Sequence, residues 1–162
     1  MRIRVQDIAT KRNWLAKVSL FLHDASICER FAYDDSTQTF SLALHRIGYE
    51  FRKRQRKLWF VVWAMPSVPC TLSLAPVAIV QVNEGPDPWV DWGEQLVYMD
   101  MVGPADLEVV TREARVVLRL QERASLVLAD TGAPTHEANH KDFGSLVVPE
   151  QLVTEVSSTA EV

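Results

Sequence analysis

The stretch Asp106–Asp130 reads DLEVVTREARVVLRLQERASLVLAD, and its periodicity decides the fold class. Val116, Leu118 and Leu120 alternate as they would on a half-buried strand. Leu107, Val110, Ala114, Val117, Leu118 and Ala124 also fall on one helical stripe, so spacing alone leaves both forms open. The β-branched valines and the Thr111-Arg112-Glu113-Ala114 junction favour strands at about 106–111, 115–121 and 124–129. Pro104, placed where a helix would begin, keeps a second helix over about 105–124 as the alternative.

Upstream, Trp14, Leu15, Val18, Phe21 and Leu22 share one helical stripe, with Lys11, Arg12 and Lys17 free to face water. This predicts an N-terminal helix over about 8–22, capped by Asp7 or Thr10. Ser26–Tyr33 and Thr39–Arg46 read as a hairpin around Asp34-Asp35-Ser36-Thr37-Gln38, whose short polar side chains can bond their own backbone. In the second strand Phe40, Leu42 and Leu44 point one way. Leu58–Met65 is apolar on both strand faces and is expected to be a central strand ending at Pro66. Its Trp59 and Trp63 are candidates for covering the sheet face that one helix leaves bare. Thr71–Leu74 and Val77–Val82 are expected as strands, or one strand interrupted at Pro76, and Gln95–Val102 as another before Gly103-Pro104.

The resulting expectation is an α+β fold: a single domain of mostly antiparallel curled sheet or barrel with an N-terminal helix, over 1–148. A flexible C-terminal tail, 149–162, follows. At 162 residues the chain is long enough to bury a core without metal or disulfides. Its two cysteines, Cys28 and Cys70, and the charged N-terminus without a signal-peptide core favour reduced thiols and a cytoplasmic location. The longest apolar runs, Leu58–Pro66 and Leu74–Val80, are under half the ~20 residues needed to span a bilayer, so no membrane partner is expected.

The net charge of −4 hides a polarity. Residues 1–57 hold 12 Lys/Arg against 6 Asp/Glu, and residues 58–162 hold 5 against 15, so the two parts carry +6 and −10. A uniformly basic, histone-type binder is excluded, while a local basic footprint is not.

The order of helix, Leu22-His23-Asp24-Ala25, extended segment, Asp34/Asp35 turn and Leu42–Tyr49 with Arg46 resembles a small family of uncharacterised bacterial proteins. The resemblance covers about residues 14–50, with a loose echo in 106–121. It implies a compact sheet plus helix, similar to a pleckstrin-homology barrel, and carries no activity, cofactor or substrate. The long proline-containing acidic middle and the C-terminal arm depart from that pattern.

Two segments stand out as candidate sites. Arg46, Arg52, Lys53, Arg54, Arg56 and Lys57 are six basic residues within 12 positions, near Tyr49, Phe51 and Trp59. Such a run is a solvated turn beside an apolar strand, a surface for an anionic protein, or a weak phosphate-binding site with stacking aromatics. Residues 86–94, PDPWVDWGE, set Trp89 and Trp92 among Asp87, Asp91 and Glu94. Indoles in a stiff loop anchor a partner at little entropic cost, or fold back to hold the loop. The spacing of these acids misses the EF-hand pattern, and His136 and His140 lack a His-Glu-x-x-His motif, so no metal site and no cofactor is assigned. Nucleophile-elbow, phosphate-loop and dinucleotide motifs are absent from the sequence.

The favoured expectation is a non-enzymatic protein-interaction or self-associating module, with Trp59, Trp63, Asp87, Trp89, Asp91, Trp92 and Glu94 as its contact residues. Weak nucleic-acid binding through 46–57 is the first alternative. A divergent hydrolase or metal-assisted enzyme is the second.

Overall fold

Two long strands form the middle of the main sheet. In the computed structural model the described residues are 1–28, 31–57, 60–84, 95–112 and 114–135, of which 54–57, 60–63 and 84 are described by their backbone. Along the chain they form β1 (Arg2–Val5), α1 (Arg12–Phe21), β2 (Ser26–Ile27), β3 (Ala32–Asp34), β4 (Thr39–Ile47), β5 (Lys53–Lys57), β6 (Phe60–Ala64), β7 (Ser67–Glu84), β8 (Leu96–Met101), β9 (Asp106–Thr111) and β10 (Ala114–Asp130). The 18-residue β7 and 17-residue β10 pair antiparallel over most of their length.

An eight-stranded sheet grows around this pair in the order β2-β4-β7-β10-β9-β8, with β3 also on β4 and β1 also on β10. β10 uses one edge for β7 and divides the other, its residues 115–119 taking β9 and its residues 126–129 taking β1. That double engagement overturns the helical alternative over 105–124. The valines at 109, 110, 116 and 117 enter backbone ladders, where branching at Cβ is favourable, instead of an isolated helical stripe.

Irregularities bend the two long strands. Val80 is the extra residue of a bulge between the Ile79–Leu118 and Gln81–Val117 pairs. At Pro76, which has no N–H to give, the ladder breaks and β10 swings out through exposed Gln121, Glu122 and Arg123 before pairing resumes at Ser125–Ala75. Bulges add local twist, and the sheet curls into a half-barrel. Its two edge strands touch at one rim, where Ser26 bridges Gln95 and the Leu96 amide donates to Ala25 O at 3.0 Å.

The helix plugs the concave side. Leu15, Val18, Phe21 and Leu22 are buried against Ile3, Val5 and Ile8 and the inner residues of β4, β7 and β10, as the stripe predicts. Burial of each such apolar side chain contributes about 1.5–3 kcal/mol before entropy is counted. Ser19 Oγ fixes the helix to β8 by accepting from the Met99 amide at 2.8 Å. α1 begins later than its apolar pattern predicts. Ile8 N–H goes to Ala124 O, extending the β1 edge, while Thr10 N–H turns back to Asp7 O, so Lys11 is the uncapped N-cap. The molecule is thus a single α+β domain of helix and curled, mostly antiparallel sheet.

The expectation for Leu58–Met65 needs correction. Among the described strands β6 pairs only with β5, in a two-stranded ribbon separate from the main sheet, and the central positions belong to β7 and β10. Apolar character on both faces signals cover on both faces, not a place in mid-sheet. After Pro66 the chain enters β7, which takes the eight consecutive partners Phe40–Ile47 of β4. The expected tail, 149–162, lies outside the described residues.

Candidate functional site

The basic segment separates into a buried residue and a surface ribbon. Arg46 follows Phe40, Leu42 and Leu44 on the inward face of β4 and is fully buried. Its Nε and Nη2 donate to Asp130 Oδ1 and Oδ2 at 2.9 and 2.8 Å, and Nη1 donates to Glu50 Oε2 at 3.0 Å and to Ile47 O at 3.3 Å. Nη2 also donates to Glu50 Oε1. All five guanidinium N–H bonds are used. The Phe21 ring lies with its centroid 5.2 Å from Cζ.

Local structure supplies both carboxylates. Asp130 ends the inward series Leu126, Leu128, Asp130 on β10, and Glu50 sits in a short 3-10 turn, Tyr49–Phe51. That turn packs tightly through Gly48, where an added Cβ would fall 2.9 Å from Pro66 O and from Val68 Cγ2. Burial works against the Arg46 charge, but the bonds to Asp130 and Glu50 outweigh it and raise its pKa. For Asp130, burial opposes ionisation while Arg46 and the Met1 amine, 2.8 Å away, hold the carboxyl below its ordinary range. Arg46 therefore leaves the set of expected phosphate contacts. Its guanidinium ties β4 to β10 and has no donor to spare.

Burial pushes the Cys70 thiol, between Leu44 and Asp130 in register, up to about 12. It is not disulfide-bonded to Cys28, which is exposed.

The other basic residues gather at the ribbon. Arg52 is half-buried, Lys53 is exposed, and β5 runs Lys53-Arg54-Gln55-Arg56-Lys57. Its register sets Arg54 opposite Trp63, Arg56 opposite Val61 and Lys57 opposite Phe60. One basic strand thus lies beside one apolar strand. Trp59, Asp87, Trp89, Asp91, Trp92 and Glu94 lie outside the described residues, as do His136 and His140.

Among the described residues, no group of three or more His, Cys, Asp or Glu is placed to hold a metal ion. No helix among them is long and apolar enough to cross a membrane. A shallow cleft of about 500 Å³ opens at the start of α1, lined by Lys11, Arg12, Trp14 and Lys17, with Lys17 Nζ 4.8 Å from the centre of the Trp14 ring. His23 and Asp24 meet at 3.1 Å just after the helix, both partly exposed.

Sequence reasoning missed two buried charges on β9 and its turn. Glu108 is 4% exposed, accepts from the Tyr98 hydroxyl at 2.9 Å and pairs with Arg115. Arg112 is 5% exposed, and its Nη2 donates to Gln95 Oε1 at 3.1 Å. Two of its other donor atoms, Nε and Nη1, have no acceptor among the described residues. Both residues keep the parity of Val110, which is also buried, but a charged residue in that position gives no sign of burial in the sequence.

Set against protein-family models, curated proteins and solved structures, the chain matches none of them. The resemblance over residues 14–50 rests on those residues alone.

Proposed function

We propose that this protein is a non-enzymatic binding module that self-associates through the β5–β6 ribbon. The observation that carries this reading is the ribbon's pairing: its two strands bond each other and no other described strand, which leaves outer edges open to a further strand. Charge supports a second copy as the occupant. The ribbon's basic strand belongs to residues 1–57, which carry a net charge of +6, whereas Glu84, Asp87, Asp91 and Glu94 lie in a segment without Lys or Arg. Each copy offers both signs, which lets a two-fold symmetric dimer place each patch against its opposite.

Sedimentation equilibrium across a salt series tests the reading. A dimer at low salt should loosen as screening shortens the reach of the charges, and the triple variant Lys53→Glu, Arg54→Glu, Arg56→Glu should be monomeric with an unchanged circular-dichroism spectrum. A monomer at high concentration in low salt rejects it.

A second reading has its own observation. Four of the five residues of β5 are basic, and a two-stranded ribbon has the dimensions to enter the major groove of DNA. With three or four phosphate contacts, such a duplex ligand would give a log–log salt slope of only about 3–4. Titration of labelled DNA and RNA decides it: an affinity that the same triple variant leaves intact removes this site.

A further inference from the structure

Arg112 lies at the turn between β9 and β10, where a buried charge is held in place but not fully paired. Its backbone N–H donates to Gln95 O at 3.2 Å and its Nη2 to Gln95 Oε1 at 3.1 Å. Gln95 is itself fixed at the sheet seam by its bridge to Ser26. The Thr111 hydroxyl closes the turn by accepting from the Ala114 amide at 3.0 Å. Gln95 therefore holds both the backbone and the guanidinium of Arg112. Its Nε and Nη1 are dry and lack an acceptor among the described residues.

Buried donors left unmade are costly, and more so when they carry charge. Arg46 shows what this fold does with a guanidinium meant only to brace strands: it supplies two carboxylates and a carbonyl. At Arg112 the described residues supply one neutral amide oxygen. Accepting through Oε1 leaves the amide N–H2 of Gln95 as a further donor beside the guanidinium.

We propose that Arg112, with Gln95 beside it, is a receptor for a single carboxylate, carried by a small organic acid or by an acidic side chain. The charge count selects this ligand class. The next arginines along the hairpin, Arg115 and Arg119, are already engaged with Glu108 and Asp106, so the site presents one positive charge. A carboxylate neutralises it, whereas a phosphate dianion would be left half-compensated in a dry setting.

The test uses the whole chain, with acetate as the probe and chloride at equal ionic strength as the control. Arginine Nε–H resonances are followed by NMR, and that of Arg112 is identified by its loss in Arg112→Lys. It should shift saturably with acetate and not with chloride. With acetate several-fold above its Kd, the Tm of the wild type should rise by about 2–4 °C, and that of Arg112→Met should not. Inorganic phosphate should do less. If Arg112→Met fails to fold, the wild-type titration still decides.

Two further arms separate the sources. A resonance that moves on protein dilution without acetate, and that acetate restores, assigns the carboxylate to a second copy. A resonance insensitive to acetate and to dilution, or a Tm response equal in wild type and Arg112→Met, overturns the proposal. So does a phosphate response as large as that of acetate. None of these outcomes depends on the ribbon, so the reading of the ribbon as the self-association surface stands or falls separately.

Discussion

Arg46 and Arg112 are both removed from water, yet among the described residues one has every donor satisfied and the other does not. Arg46 joins the ends of two inward stripes, so Asp130 reaches it from a strand already fixed by the core and Glu50 from the short turn that follows β4. Arg112 caps a hairpin, where among the described residues one glutamine at the seam accepts from its guanidinium. Burial of a charge is thus two different events in one fold: a brace where opposite charge converges, and an unfinished contact where it does not.

The largest effect should come from breaking the brace. Arg46→Met takes the guanidinium away from two mostly buried carboxylates, leaving Asp130 with its Met1 amine, and should cost about 3–5 kcal/mol in urea unfolding. A loss under about 1 kcal/mol would remove the distinction between the arginines. Acid should expose the same brace. The Asp130 pKa is lower in the folded chain, so the unfolded state takes up protons first as pH falls. The contribution is complete above the ordinary carboxylate pKa and is lost from about pH 5 downward, through the lowered folded value. Unfolding curves of Asp130→Asn should therefore be less stable at neutral pH and show a shallower acid slope than the wild type. Equal slopes would mean that other carboxylates govern acid unfolding.

Arg112 should behave in the opposite sense. Without a ligand, Arg112→Met replaces an underpaired charge by an apolar chain of similar length. Its urea midpoint should stay within about 1 kcal/mol of wild type or rise. A loss as large as that from Arg46→Met would show that Arg112 is braced after all.

How far these differences could be read in advance follows from parity and pairing. The α1 stripe and the alternation of Phe40, Leu42 and Leu44 were legible because each depends on neighbours in sequence. Arg46 continues that alternation, and Asp130 continues Leu126 and Leu128, so the brace was written as two charges at the ends of two apolar stripes. Clustering of Arg46 with Arg52–Lys57 pointed to the surface instead, although parity carried the better signal. The place of β6 was not legible. Its apolar pattern states how much cover it wants but not which strand it pairs with, and β4 finds its partner in β7 beyond Pro66. The ends of α1 were blurred for a related reason, since the Ile8 amide bonds to Ala124, far along the chain.

The smallest effect isolates solvent from geometry. Arg119 grips Asp106 with the same fork that Arg46 uses on Asp130: Nε to Oδ1 at 2.8 Å and Nη2 to Oδ2 at 3.2 Å. Its side chain is 58% exposed, however, and that of Asp106 28%. The Arg119 bond lowers the Asp106 pKa, but water and salt screen such a pair, and holding two side chains in one arrangement costs entropy. Arg119→Met should leave the urea midpoint unchanged within error in 0.15 M salt. If it instead approached the loss from Arg46→Met, fork geometry rather than convergence of buried charge would explain why Arg46 braces the fold. With no change, the contrast between the two buried arginines comes down to what each meets once water is gone.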